Sequence, residues 1–106
     1  MVNSYDDLYK LIQKSLDIYS KEHGLEDQFI FTVEDSGVCK VWNKENEVSF
    51  KFMLAQYEDE YKVGFAKFEG YNPNPIWIDD LLSSNFDEDF LAILIDEHII
   101  PVPEVY

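Results

Sequence analysis

The sequence predicts an α+β fold: an N-terminal helix, a four-stranded antiparallel meander, a C-terminal helix and an extended tail. Three observations carry this reading. Apolar residues recur at helical spacing from Tyr5 to His23, and again after Phe86. Between them lie four runs rich in β-branched and aromatic residues, separated by short polar turns. The length, 106 residues, suits one domain with one core.

In the first helix, Tyr5, Leu8, Tyr9, Ile12, Leu16 and Tyr19 form one apolar stripe. Ser4 is placed to cap its start, and Asp6 and Asp7 complement the positive end of its dipole. Lys21 and His23 then precede Gly24, a stop signal in which His23 complements the helix C-terminus. The strand-like runs are Gln28–Glu34, Val38–Trp42, Glu47–Tyr57 and Tyr61–Glu69. In the third, Val48, Phe50, Phe52 and Leu54 alternate with Ser49, Lys51, Met53 and Ala55, so the first set should be buried. Phe29, Phe31 and Val33 should join that face, as should Tyr61, Val63 and Phe65, with the first helix packed on it.

The opposite face mixes Lys40, Lys51 and Lys62 with Met53, Ala55, Gly64 and Ala66. It reads in two ways: a solvated face beneath a second helix, or a docking surface for a partner or a second copy. A symmetric dimer is one expectation, because so few elements cover both faces poorly. Pro73 and Pro75 make the following stretch a loop. Ile76–Leu82 fits either a short helix or a strand. A helix from Phe86 to about Glu97 follows, capped by Ser84 or Asn85, with Phe86, Phe90, Ile93 and Leu94 inward. Pro101 and Pro103 keep the last eight residues extended.

Charge narrows the function. Twenty-two acids face eight lysines and no arginine, a formal charge of −14. From Phe68 onward nine acids meet no cation at all. Such a field repels nucleic acid and anionic membranes and attracts basic proteins. The acids gathered in the C-terminal third, Asp79, Asp80, Asp87, Glu88, Asp89, Asp96 and Glu97, form a candidate partner-binding face. Asp96 and Glu97 sit in the last helical turn, where the dipole disfavours them. No signal peptide or membrane span is read, and Cys39 has no cysteine to pair with, so the cytosol is expected.

Catalytic patterns are sparse. Cys39 lies mid-strand with no activating neighbour, which reads as a buried structural thiol. His23 and His98 have no helical partner to complete a metal set. The four glycines form no phosphate loop, and neither Asp35-Ser36-Gly37 nor Glu58-Asp59-Glu60 supplies the alternating oxygens of a calcium loop. The expectation is a protein without catalysis, cofactor or metal that binds another protein, either basic or with an extended segment.

Several residues resemble the class I type III secretion chaperones, the Tir-chaperone-like family, over about Tyr5 to Asn85. They are Leu8, Leu11, Ile12 and Leu16, Phe29-Ile30-Phe31, Asp35-Ser36-Gly37-Val38-Cys39, Val48-Ser49-Phe50, Asp59-Glu60-Tyr61, Asn72-Pro73-Asn74 and Leu81-Leu82-Ser83-Ser84-Asn85. Where that family adds a strand pair and a long final helix, this sequence has the Phe86–Glu97 segment and the tail. The resemblance implies an acidic cytosolic homodimer that holds a partner polypeptide in extended form. A rival reading from charge alone is an immunity protein, inhibitor or DNA mimic, whose carboxylates block the basic site of a nuclease or other nucleic-acid-binding protein.

Overall fold

The computed structural model describes residues 2–25 and 27–99. Helix α1 spans Tyr5–His23. Ser4 is extended, and its hydroxyl accepts the Asp7 amide hydrogen at 3.1 Å, satisfying an orphan donor of the first turn. Gly24 ends the helix at φ 66°, a left-handed conformation that costs glycine least. The stripe Leu8, Ile12, Leu16 and Tyr19 is buried, as the spacing predicts.

Strands β1 (Phe29–Val33), β2 (Cys39–Asn43), β3 (Val48–Tyr57), β4 (Glu60–Glu69) and β5 (Trp77–Leu82) form one antiparallel sheet in sequence order. The sheet thus has five strands, where four were expected. The ambiguous Ile76–Leu82 segment is the fifth. Its Trp77 and Leu81 fall opposite Lys67 and Val63, so pairing with β4 sets them on the helix-facing side. Proximity to an open β4 edge decides what the local pattern left ambiguous.

The buried face carries Val41, Phe50, Phe52, Val63 and Phe65, in register across β2, β3 and β4. Phe50 and Phe52 are 0% and 1% exposed. Tyr61 is half-buried and Val33 is 49% exposed, so both contribute less than expected.

A 3₁₀ turn at Ser83–Asn85 leads to the short helix α2 (Glu88–Leu94), which continues as a π-helical turn at Ile95–Ile99. The cap is Asp87, not Ser84 or Asn85. Asp87 is extended, and its carboxylate accepts the Phe90 amide hydrogen at 2.9 Å. The later start shifts the inward set: Phe86, Leu91, Leu94 and Ile95 are buried and Phe90 packs beside them, whereas Ile93 is 55% exposed. The tail beyond Ile99 lies outside the described residues.

Both helices pack on the same side of the sheet, since α1, α2 and the π turn share one core cluster with Phe50, Phe52 and Phe65. The second helix therefore does not cover the lysine-bearing face. Among the described residues the architecture has two layers, and one sheet face is left without a helix.

Candidate functional site

The open face is assembled by strand register. Ile30, Trp42, Ser49 and Phe68 form one cross-strand row over β1 to β4. Thr32, Lys40, Lys51, Ala66 and Ile78 form the next, from β1 to β5. Met53, Gly64 and Asp80 follow, then Ala55, Lys62 and Leu82. Each neighbour in a row lies about 5 Å away, close enough for side-chain contact. All four outer-face residues expected at this surface, Met53, Ala55, Gly64 and Ala66, thus lie on adjacent rows of two strands.

Much of this face is apolar and wet. Met53 is 50% exposed, Ile78 68% and Ile30 42%, although each occupies a strand. At one end Trp42 packs against Tyr71 with ring centroids 5.8 Å apart, forming an aromatic ridge. Each lysine lies over a ring: Lys40 over Trp42 at 5.0 Å, Lys51 over Phe68 at 5.5 Å and Lys62 over Tyr57 at 5.4 Å. Lys51 also pairs with Glu34 at 2.9 Å. At the centre Met53 lies across Gly64, where an added Cβ would meet Met53 Cγ at 3.2 Å. Gly64, Ala55 and Ala66 make a low strip flanked by longer side chains.

Sequence reasoning found the small residues and missed Trp42, Phe68, Ile30 and Ile78. The signal was present for three of them: period-two alternation puts Trp42 with Lys40, Phe68 with Ala66, and Ile30 with Thr32. Ile78 depended on assigning β5.

The acidic residues do not gather on one face. Asp80 lies in the Met53–Gly64 row on the open side, whereas Asp79 is opposite the buried Phe65. Both also line a cleft of about 200 Å³ with Trp77, Glu97 and His98, which brings three of the seven acids together. Asp87 is the α2 cap, Glu88 pairs with Lys14 at 2.8 Å, and Asp96 accepts the Tyr19 hydroxyl hydrogen at 2.7 Å. Asp89 lies exposed beside Glu88 in the first turn of α2. Asp79 accepts the Asp80 amide hydrogen at 2.8 Å, so four of the seven have intramolecular partners.

The nucleophilic and titratable groups are held by packing. Cys39 is wholly buried, and burial pushes its thiol up to about 12, away from the thiolate form a nucleophile needs. Burial, then the hydrogen bond to Asp96, pushes Tyr19 up to about 12. His23 stacks on Tyr19 with centroids 4.0 Å apart, its Nδ1 3.1 Å from the Tyr19 carbonyl oxygen, as befits a helix end. His98 stacks on Trp77 at 4.9 Å. The wide cleft between α1 and α2 is lined by Val2, Lys10, Leu11, Ser83, Phe86 and Asp87 among others, with no histidine or cysteine in its wall. Among the described residues no group of three His, Cys, Asp or Glu side chains is arranged to hold a metal ion, and no helix is long and apolar enough to cross a membrane. Comparison with protein-family models, curated proteins and solved structures finds no match for the chain.

Proposed function

We propose that this chain is a non-enzymatic protein-binding module of the cytosol that holds a partner polypeptide on the open face of its sheet. One observation carries the reading: Met53, Ile78 and Ile30 stand 42–68% exposed on strands, on a face that neither helix covers. Exposed apolar groups clustered in this way mark interaction surfaces. The chaperone-like form, in which an extended segment is held, fits a flat sheet face with a low central strip.

The rival, an acidic plug for a basic site, draws less support from the geometry. Asp79, Asp87, Glu88 and Asp96 make intramolecular contacts, and Asp79 and Asp80 alternate along β5, although both line the cleft beside Trp77. Its remaining ground is the overall charge of −14.

The test is selection of binders from a random-sequence peptide display library on the immobilised protein, followed by measurement on the double variant Met53→Asp, Ile78→Asp. Peptides that lose at least about tenfold in affinity on the double variant support the reading. A library that yields no binders, or binders indifferent to both substitutions, overturns it. Binding to polylysine that persists in the double variant favours the acidic plug.

A further inference from the structure

Charge on the open face runs against the rest of the molecule. Three of the eight lysines lie there against three acids: Glu60 and Asp80 on the strands, and Glu34, which pairs with Lys51. Elsewhere five lysines are set among nineteen acids, so this face is near neutral on an otherwise strongly negative molecule. The three ammonium groups also bracket the low strip. Lys40 and Lys51 are direct cross-strand neighbours on one rung, while Lys62 pairs with Ala55, four residues further along β3. At about 3.4 Å per residue the two rungs are roughly 14 Å apart, with the Met53–Gly64 rung midway.

We infer that the open face takes a polypeptide segment that presents an apolar side chain between two carboxylates four residues apart. The inference rests on the protein-binding reading and names what that surface would recognise. A segment extended along the strands sets residue i over Lys40 and Lys51, residue i+2 over the strip, and residue i+4 over Lys62. Met53 lies across Gly64, and its unbranched thioether can move aside to admit an apolar side chain beside the glycine. The rings beneath the lysines hold the ammonium groups in place, which lowers the entropy lost on pairing. The Lys51–Glu34 pair does not block the site. Both of its side chains are more than a third exposed, and an exposed pair of this kind exchanges readily for another carboxylate.

Two other occupants fit less well. A second copy laid face to face would double the three lysines and three acids on a near-neutral face and supply no net complementary charge. A nucleic acid carries charge on every residue, and a strand following the sheet would leave the face over the Glu58-Asp59-Glu60 turn. A short segment with two carboxylates meets neither obstacle.

The random-sequence library supplies the probe. Peptides selected on the wild-type protein are expected to be enriched in Asp or Glu at positions i and i+4 around an apolar i+2. Their affinity should fall about tenfold or more in the variant K40Q/K51Q/K62Q, and should weaken with added salt in the wild type but not in the variant. Glutamine keeps most of each aliphatic stem, and an unchanged thermal melt confirms that the variant is folded; Lys40→Gln alone, which leaves the Glu34 pair intact, serves as the milder check. Peptides that depend on Met53 and Ile78 but carry no paired acids, or that ignore the lysine substitutions, overturn this inference and leave the binding-module reading standing. Oligothymidylate bound with the same lysine dependence overturns it in favour of a single-stranded nucleic acid. A dimer in sedimentation that Met53→Asp dissolves overturns it in favour of a second copy.

Discussion

The two faces of the sheet are built from the same ten residues of β3 and differ in nearly everything else. Phe52 is 1% exposed and touches the rings of Phe50, Phe65 and Phe86; its neighbour Met53 is 50% exposed and lies over a glycine. The inner face is closed by two helices that interlock with it, so its residues are fixed by shape. The outer face is ruled by what can stand in water and still bind: lysines, small residues and scattered apolar groups. The contrast teaches that alternation in sequence marks both faces, but only the covered one contributes much to stability.

The largest effect should follow from breaking the covered face. Phe52→Ala removes a ring that packs against three others and leaves a void among rigid neighbours, so a loss of about 3–5 kcal/mol is expected in urea unfolding. That is a large fraction of the stability of a domain this size. An unchanged midpoint would mean that the faces are reversed.

Next comes alkaline pH, which titrates groups that the covered side keeps protonated. Cys39 moves from its ordinary 9.0, and Tyr19 from 10.0, to about 12. Each folded pKa lies above its unfolded value, and the protonated form is the neutral one. The stabilisation is thus whole below about pH 9 and is lost as pH rises toward 12. The urea midpoint should be level from pH 7 to 9 and fall across that window. Cys39→Ala should flatten the first part of the fall and Tyr19→Phe the second. A midpoint as steady at pH 11 as at pH 7 would refute the burial of both groups.

A smaller effect of opposite sign should come from Ser15. Its hydroxyl is buried, and its oxygen has no hydrogen-bond partner among the described residues. Ser15→Ala removes an unpaired polar atom and improves helix propensity, so a gain of roughly 1 kcal/mol is expected. Differential scanning calorimetry reads it as a Tm several degrees higher; a lower Tm would show that the hydroxyl has a partner.

How much was legible in the sequence follows the same division. The first helix, its two ends and the inner alternation of β3 could be read because each rests on neighbours close in sequence. The fifth strand could not, because Trp77–Leu82 becomes a strand through pairing with β4, a contact that no local pattern states. The start of α2 was misplaced because Ser84, Asn85 and Asp87 are all good caps, and the burial of Phe86 and Ser83 decides among them. For the candidate site, the small residues were found from their strangeness on a sheet face. The acids were grouped only by their nearness in sequence. In space they divide among a helix cap, an ion pair, a tyrosine partner and two sides of one strand.

The smallest effect is the most informative about the open face. Met53→Thr and Ile78→Thr replace exposed apolar side chains with a β-branched residue that keeps the strand preference. Both side chains stay half or more in water, so little burial is lost, and each substitution should shift stability by less than about 0.5 kcal/mol. The comparison with Phe52→Ala is internal, since Met53 follows Phe52 on the same strand and differs from it in which way it faces. Side by side in urea, the two variants should differ by several kcal/mol while their m-values agree, because each exposes the same chain on unfolding. A Met53→Thr loss approaching 2 kcal/mol would mean that another layer covers the face in solution, a second copy above all. In that case the loss would shrink on dilution, as mass action requires of a stabilising partner. A small loss that is the same at every concentration leaves the face open in the free protein, and the apolar groups it exposes are then available to a partner.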